Sequence, residues 1–172
     1  MFQNPILCHI EKENLSLAFD ALKASPFSKI TENNFITLWK KKPLFGRFSV
    51  CSKGKQKIII DGAHNPLGFE TLAKQLQLSF YNQEFYLLFG LNSKRNPLDI
   101  KALIKLKPSK IFYCFFDEEL ALPYSILKKS WPNQEIISFQ LGSKLPEFRQ
   151  LIITGSLYFI PNFYSLYKDN SN

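Results

Sequence analysis

The segment Ile58-Ile59-Ile60-Asp61-Gly62-Ala63-His64-Asn65-Pro66 joins a run of β-branched apolar residues to a turn suited to starting a helix. Adjacent isoleucines without polar alternation fit a strand covered on both faces. Gly62 fits a tight turn, Asn65 an N-cap and Pro66 the first helical position. Beyond Pro66, the residues Phe69, Leu72, Ala73 and Leu76 recur at helical spacing. The stretch predicts strand, turn and helix in immediate succession, which is the opening of a crossover between parallel strands.

The same grammar recurs on both sides. Residues 85–89, 111–116, 135–139 and 151–153 are apolar or nearly so, and residues 48–51 and 57–60 flank Ser52-Lys53-Gly54-Lys55, a hairpin-like turn. A second helix repeats the Asn-Pro start at Asn96-Pro97, with Ile100, Leu103 and Ile104 inward. A third begins at Pro123, with Tyr124, Leu127 and Trp131 inward. Upstream, Leu15, Ala18, Phe19 and Leu22 mark one stripe of a helix ending before Pro26, and Phe35, Ile36, Leu38 and Trp39 fit a further turn or two. A boundary is expected near Pro43. The predicted architecture is a three-layer, Rossmann-like α/β domain over residues 43–172, with a mainly parallel sheet and an antiparallel hairpin at its start, preceded by a short helical segment over residues 1–42.

Composition supports a packed core. Of 172 residues, 45% are hydrophobic and 21% charged, which excludes disorder, and 17 Phe against 7 Gly exclude collagen-like or linker-like chains. The longest apolar run, residues 111–116, is far below the ~18 residues of a membrane helix, and the first ten residues lack the pattern of a signal peptide. No membrane association and a cytoplasmic location are therefore expected. Three cysteines, Cys8, Cys51 and Cys114, show no paired spacing and read as reduced core residues. A net charge of +8 favours anionic partners without choosing among them. Lys40-Lys41-Lys42 reads as a solvated run and His9 as a solvated side chain; with no interleaved basic and aromatic face, nucleic acid is not an expected partner.

In such sheets ligands bind beyond the carboxyl ends of the strands. Asp61 offers an acceptor there, His64 a titratable ring, and the Asn65-Pro66 helix start a partial positive charge. The same residues also suit a purely structural turn with an exposed histidine, and the residues alone leave both readings open.

Four segments in register carry a resemblance: Phe45-Gly46-Arg47-Phe48, then Asp61-Gly62-Ala63-His64-Asn65-Pro66, then Leu87-Leu88-Phe89-Gly90, then Thr154-Gly155-Ser156-Leu157-Tyr158-Phe159. Together they resemble the C-terminal domain of folylpolyglutamate synthase/dihydrofolate synthase, a branch of the Mur ligase superfamily, over residues 43–159. The helix over residues 14–22 looks like the last helices of that family's central ATPase domain. The resemblance implies an ATP-dependent ligase of folate biosynthesis and one-carbon metabolism, which activates a folate or pteroate carboxylate as an acyl phosphate that the amine of glutamate then attacks. It implies that Arg47 and Asp61 contact ATP, that His64 lies near glutamate and the phosphoryl group as the catalytic donor, that Asn65, Lys94 and Ser156 bind substrate, and that no residue here is a metal ligand.

Departures from the pattern accompany the matches. The family's Lys-Asp pair is Lys94-Arg95 here, no Arg follows the next strand between Asp117 and Pro123, and Pro161 stands where a small residue is usual, delaying or kinking a helix begun at Ser156. The sequence has no G-x-x-x-x-G-K-[ST] phosphate loop, since Gly54-Lys55 is followed by Gln56 in a presumed hairpin. The expectation is one half of a split ligase or the remnant of a truncated one, inactive by itself. ATP and Mg2+ would be used only if another chain supplies the phosphate-loop domain, with glutamate and folate or dihydropteroate as substrates. The alternative is a non-catalytic module that binds a nucleotide or a partner; among ligases of the superfamily, the peptidoglycan-precursor branch is second.

Overall fold

The computed structural model describes residues 9–26, 29–41, 45–79 and 83–169. The chain opens with α1 (His9–Lys23) and α2 (Glu32–Lys41). Thr31 starts α2, its Oγ1 accepting the Asn34 N–H at 3.3 Å. The two helices touch through Phe19 and Phe35, whose ring centroids lie 5.5 Å apart. Leu15, Phe19 and Leu22 are half-buried and Ala18 is exposed, so none of the apolar stripe is fully covered. The expected boundary at Pro43, Cys8, and the side chains of His9 and Lys40-Lys41-Lys42 lie outside the described residues.

The remainder runs through β1 (Ser49–Lys53), β2 (Gln56–Ile60), α3 (Pro66–Ser79), β3 (Tyr86–Phe89), a 3₁₀ turn (Pro97–Ile100) continuing into α4 (Lys101–Ile104), β4 (Lys110–Cys114), α5 (Tyr124–Ser130), β5 (Ile137–Phe139), β6 (Gln150–Thr154) and α6 (Phe159–Asp169). The strands form one six-stranded sheet in the order β1-β2-β6-β3-β4-β5. Only the β1–β2 pair is antiparallel, and Gly54 turns that hairpin at φ +59°. β6, last in sequence, sits between β2 and β3, so the loops following β2, β6 and β3 emerge side by side at the carboxyl edge.

Alternate residues of the strands feed two cores. Ile59, Leu87, Tyr113 and Ile152 face a layer formed by Phe69 and Leu72 of α3, Leu103 of α4 and Leu127 of α5. Ile58, Ile60, Leu88, Phe112, Leu151 and Ile153 face Phe159, Ile160 and Phe163 of α6. A strand apolar on both faces is therefore the sequence mark of a sheet sandwiched between helices. Each large side chain buried in this way contributes on the order of 1.5–3 kcal/mol.

Helix starts follow the Asn-Pro pairs. Asn65 Oδ1 accepts the Gly68 N–H at 2.8 Å and Asn96 Oδ1 accepts the Leu98 N–H at 2.9 Å. The second of these starts yields only the 3₁₀ turn and one α-turn before Lys107, at φ +54°, and Pro108 end it. Tyr124 and Trp131 face inward as expected, half-buried against the core, and each keeps its polar tip bonded: Tyr124 Oη donates to Ile136 O at 2.5 Å and Trp131 Nε1 to Pro97 O at 2.9 Å. β5 is shorter than residues 135–139 and exposes Ile137 and Ser138, as an edge strand does. Residues 140–149 carry no helix and instead pack Phe148 against the α6 face. α6 begins only at Phe159, so Pro161 falls in its first turn, where a missing N–H leaves no intrahelical bond unmade.

Candidate active-site cleft

The turn after β2 is held from both sides. Asp61 Oδ2 accepts the Phe48 N–H and its Oδ1 the Ala63 N–H, each at 2.8 Å, while Gly62 N donates to Gly46 O at 2.6 Å. On the other side, Gly155 N donates to Ala63 O at 2.9 Å and Thr154 Oγ1 to the same oxygen at 3.2 Å. Residues 46–48, 61–66 and 154–156 thus form one continuous edge. Gly155 closes it at φ +107°, and a Cβ there would run into the Gly90 carbonyl, so only glycine fits.

Between this edge and the loop after β3 lies a cleft of ≈ 320 Å³ lined by His64, Asn92, Lys94, Arg95 and residues 155–158. His64 Nδ1 lies 2.7 Å from Gly62 O. A carbonyl only accepts, so Nδ1 carries the proton and Nε2 of the neutral ring is bare. The neutral ring then offers an acceptor, and only the imidazolium offers a donor from Nε2. Ser156, 3% exposed, accepts the Tyr158 N–H on Oγ at 3.1 Å, which leaves its own hydroxyl proton to donate. The loop opposite is fixed by Lys94 N donating to Asn92 Oδ1 at 3.0 Å and Ser93 N donating to Leu120 O at 2.7 Å.

The structure therefore brings His64, Lys94 and Ser156 into one cleft. Arg47 and Asp61 stand beside it, not in its lining, with Arg47 exposed. Burial pushes the Asp61 carboxyl above its ordinary range, opposed by its two backbone N–H donors, by Arg47 and by His64. Asn65 also lies outside the lining, its side chain engaged as the α3 cap. Asn92, Arg95, Leu157 and Tyr158 line the cleft without having been singled out as ligand-binding residues; all follow the ends of β3 and β6, which is where the strand order directs attention. Among the described residues no group of three or more His, Cys, Asp or Glu side chains could hold a metal ion, and no helix is long and apolar enough to cross a membrane.

Similar folds occur in solved structures. A Mycobacterium tuberculosis folylpolyglutamate synthase complexed with ADP and AMPPCP superposes at a TM-score of 0.76 and 17% identity, over 95% of this chain and 41% of its own. This chain has the fold of the C-terminal domain of a folylpolyglutamate synthase. The E. coli FolC protein in complex with DHPP and ADP matches at 0.75 and 18% identity over 98% of this chain and 41% of its own. The folylpolyglutamate synthase of Thermotoga maritima matches at 0.66 and 23% identity, over 96% and 40%. The chain thus spans about two fifths of the length of these synthases. No protein-family model matches the sequence, and no curated protein sequence does.

Proposed function

We propose that this chain is the amino-acid-holding, C-terminal part of an ATP-dependent folylpolyglutamate synthase/dihydrofolate synthase, joining glutamate to a folate or pteroate carboxylate in the cytoplasm. The observation that carries this reading is the meeting of His64, Lys94 and Ser156 in one cleft on a synthase fold. Lys94 and the Ser156 hydroxyl suit the α-carboxylate of glutamate. Nε2 of neutral His64 suits the ammonium, from which it takes a proton so that nitrogen can attack an activated carboxylate. Once protonated, the same ring donates to developing negative charge.

ADP and DHPP in the E. coli complex support a nucleotide and a pteroate-like acceptor for the whole enzyme. Toward a nucleotide, this chain offers the exposed Arg47 guanidinium and the second lone pairs of the Asp61 carboxylate, whose first are taken by Phe48 and Ala63. Its described residues hold no group of three or more His, Cys, Asp or Glu side chains that could hold a metal ion, and on this reading the metal and the phosphate loop are supplied by a separate central domain. A non-catalytic binding module has one observation in its favour, Arg95 in the cleft where the resembling family places an acid.

Mixing the chain with a separately produced phosphate-loop domain of a folylpolyglutamate synthase tests the reading. Neither part alone is expected to hydrolyse ATP in response to glutamate and folate, while the mixture turns over and loses that turnover with His64→Ala. ATP turnover by the chain alone refutes the split assignment, and an inert mixture favours the binding module.

A further inference from the structure

Arg95 adds to the cleft a second cation that the α-carboxylate and the ammonium of glutamate leave unused. It is half-buried beside the exposed Lys94, and no Asp or Glu lines the cleft. Its loop is anchored: Arg95 N donates to Asn92 O at 2.9 Å, Asn92 pairs with Ala121 in an isolated bridge, and Asn96 caps the following turn. The side chains of Lys94 and Arg95 make no hydrogen bond or ion pair with other described residues. Across from them, Leu157 and Tyr158 are 53% and 63% exposed and give the same cleft an apolar wall.

An inorganic phosphate would meet the cations and leave that wall in water. A dicarboxylate with a short aliphatic spacer satisfies both, one carboxylate at each cation and its methylenes over Leu157 and Tyr158. Arg supplies a planar fork for one carboxylate and Lys a point charge for the other. We propose that Arg95 reads the second carboxylate of a small dicarboxylate, so that a free side-chain carboxylate is a requirement of the ligand. Taking glutamate as a member of this class rests on the ligase reading, whereas the pairing of two carboxylates with two cations is a property of this chain alone.

Calorimetric or NMR titration of the full chain with glutarate, glutamate, glutamine, acetate and inorganic phosphate tests this. Glutarate and glutamate are expected to bind about tenfold tighter than glutamine and acetate, the ratio that one charge-assisted contact supplies. Arg95→Gln erases the ratio and Arg95→Lys restores part of it; circular dichroism checks that both variants stay folded. Equal binding of glutamine or acetate, displacement of glutarate by an equal concentration of phosphate, or a ratio that survives Arg95→Gln overturns the proposal. Binding of glutarate without glutamate keeps the dicarboxylate site and removes the ligase reading. Glutamate bound no better than glutamine keeps the ligase reading and removes the role of Arg95.

Discussion

Two buried residues show what individual side chains contribute to the sheet. The Cys114 thiol is fully buried, and burial pushes its pKa from 9.0 up to about 12, with Tyr113 beside it also raised by burial. Both groups hold their protons more tightly in the folded chain than in the unfolded one. The resulting stability is complete below pH 9.0 and falls as pH climbs from there toward about 12. Denaturant midpoints measured across that window should decline, and decline less steeply in Cys114→Ala. A maleimide reagent at pH 8 should leave Cys114 unlabelled until the chain is unfolded. Gly155 is the opposite case, a residue defined by what it lacks. Gly155→Ala forces both a strained φ and a collision with the Gly90 carbonyl, and a loss of about 2 kcal/mol or more is expected in urea unfolding. Wild-type stability in that variant would show that the edge between β6 and β3 can shift apart.

At the scale of elements, the chain was most readable where local chemistry and tertiary context agree. Asn65-Pro66 starts α3 with the capping bond that its residue types suit, and Asn65→Ala is expected to lower the unfolding free energy by about 1 kcal/mol, read from the same urea midpoints. The residue stands in the resembling motif, yet its Oδ1 accepts the Gly68 N–H and it lies outside the cleft lining, so the variant should lose stability without losing ligand binding in the cleft. Readability failed where only the assembled sheet decides. Residues 135–139 are apolar enough for an inner strand, but β5 lands at the edge and shortens. The family resemblance pointed to His64, Lys94 and Ser156, while Arg95 entered only as a departure from its pattern. Its place in the cleft depends on β6 inserting between β2 and β3, a long-range pairing with no local signature.

For the whole molecule, the two cores determine what unfolds together. Each packs against a face of the same sheet, so neither can be exposed without disrupting strands that the other needs. Among the described residues neither core includes one from α1 or α2, whose apolar stripe is no more than half-covered and which touch through Phe19 and Phe35. Cooperativity follows shared burial, so the helical segment and the α/β unit are expected to behave as separate units of stability. Removing residues 1–42 should therefore leave the unfolding free energy of the remaining chain, from urea unfolding, within about 0.5 kcal/mol of its value in the full chain, in keeping with changes outside a core. Native-state hydrogen exchange on the full chain should show α1 and α2 opening well below the free energy that protects β3, β4 and β6. A deletion that lowers the unfolding free energy by several kcal/mol, or protection of α1 equal to that of the central strands, would place the helical segment inside the cooperative unit and end its description as a separable piece.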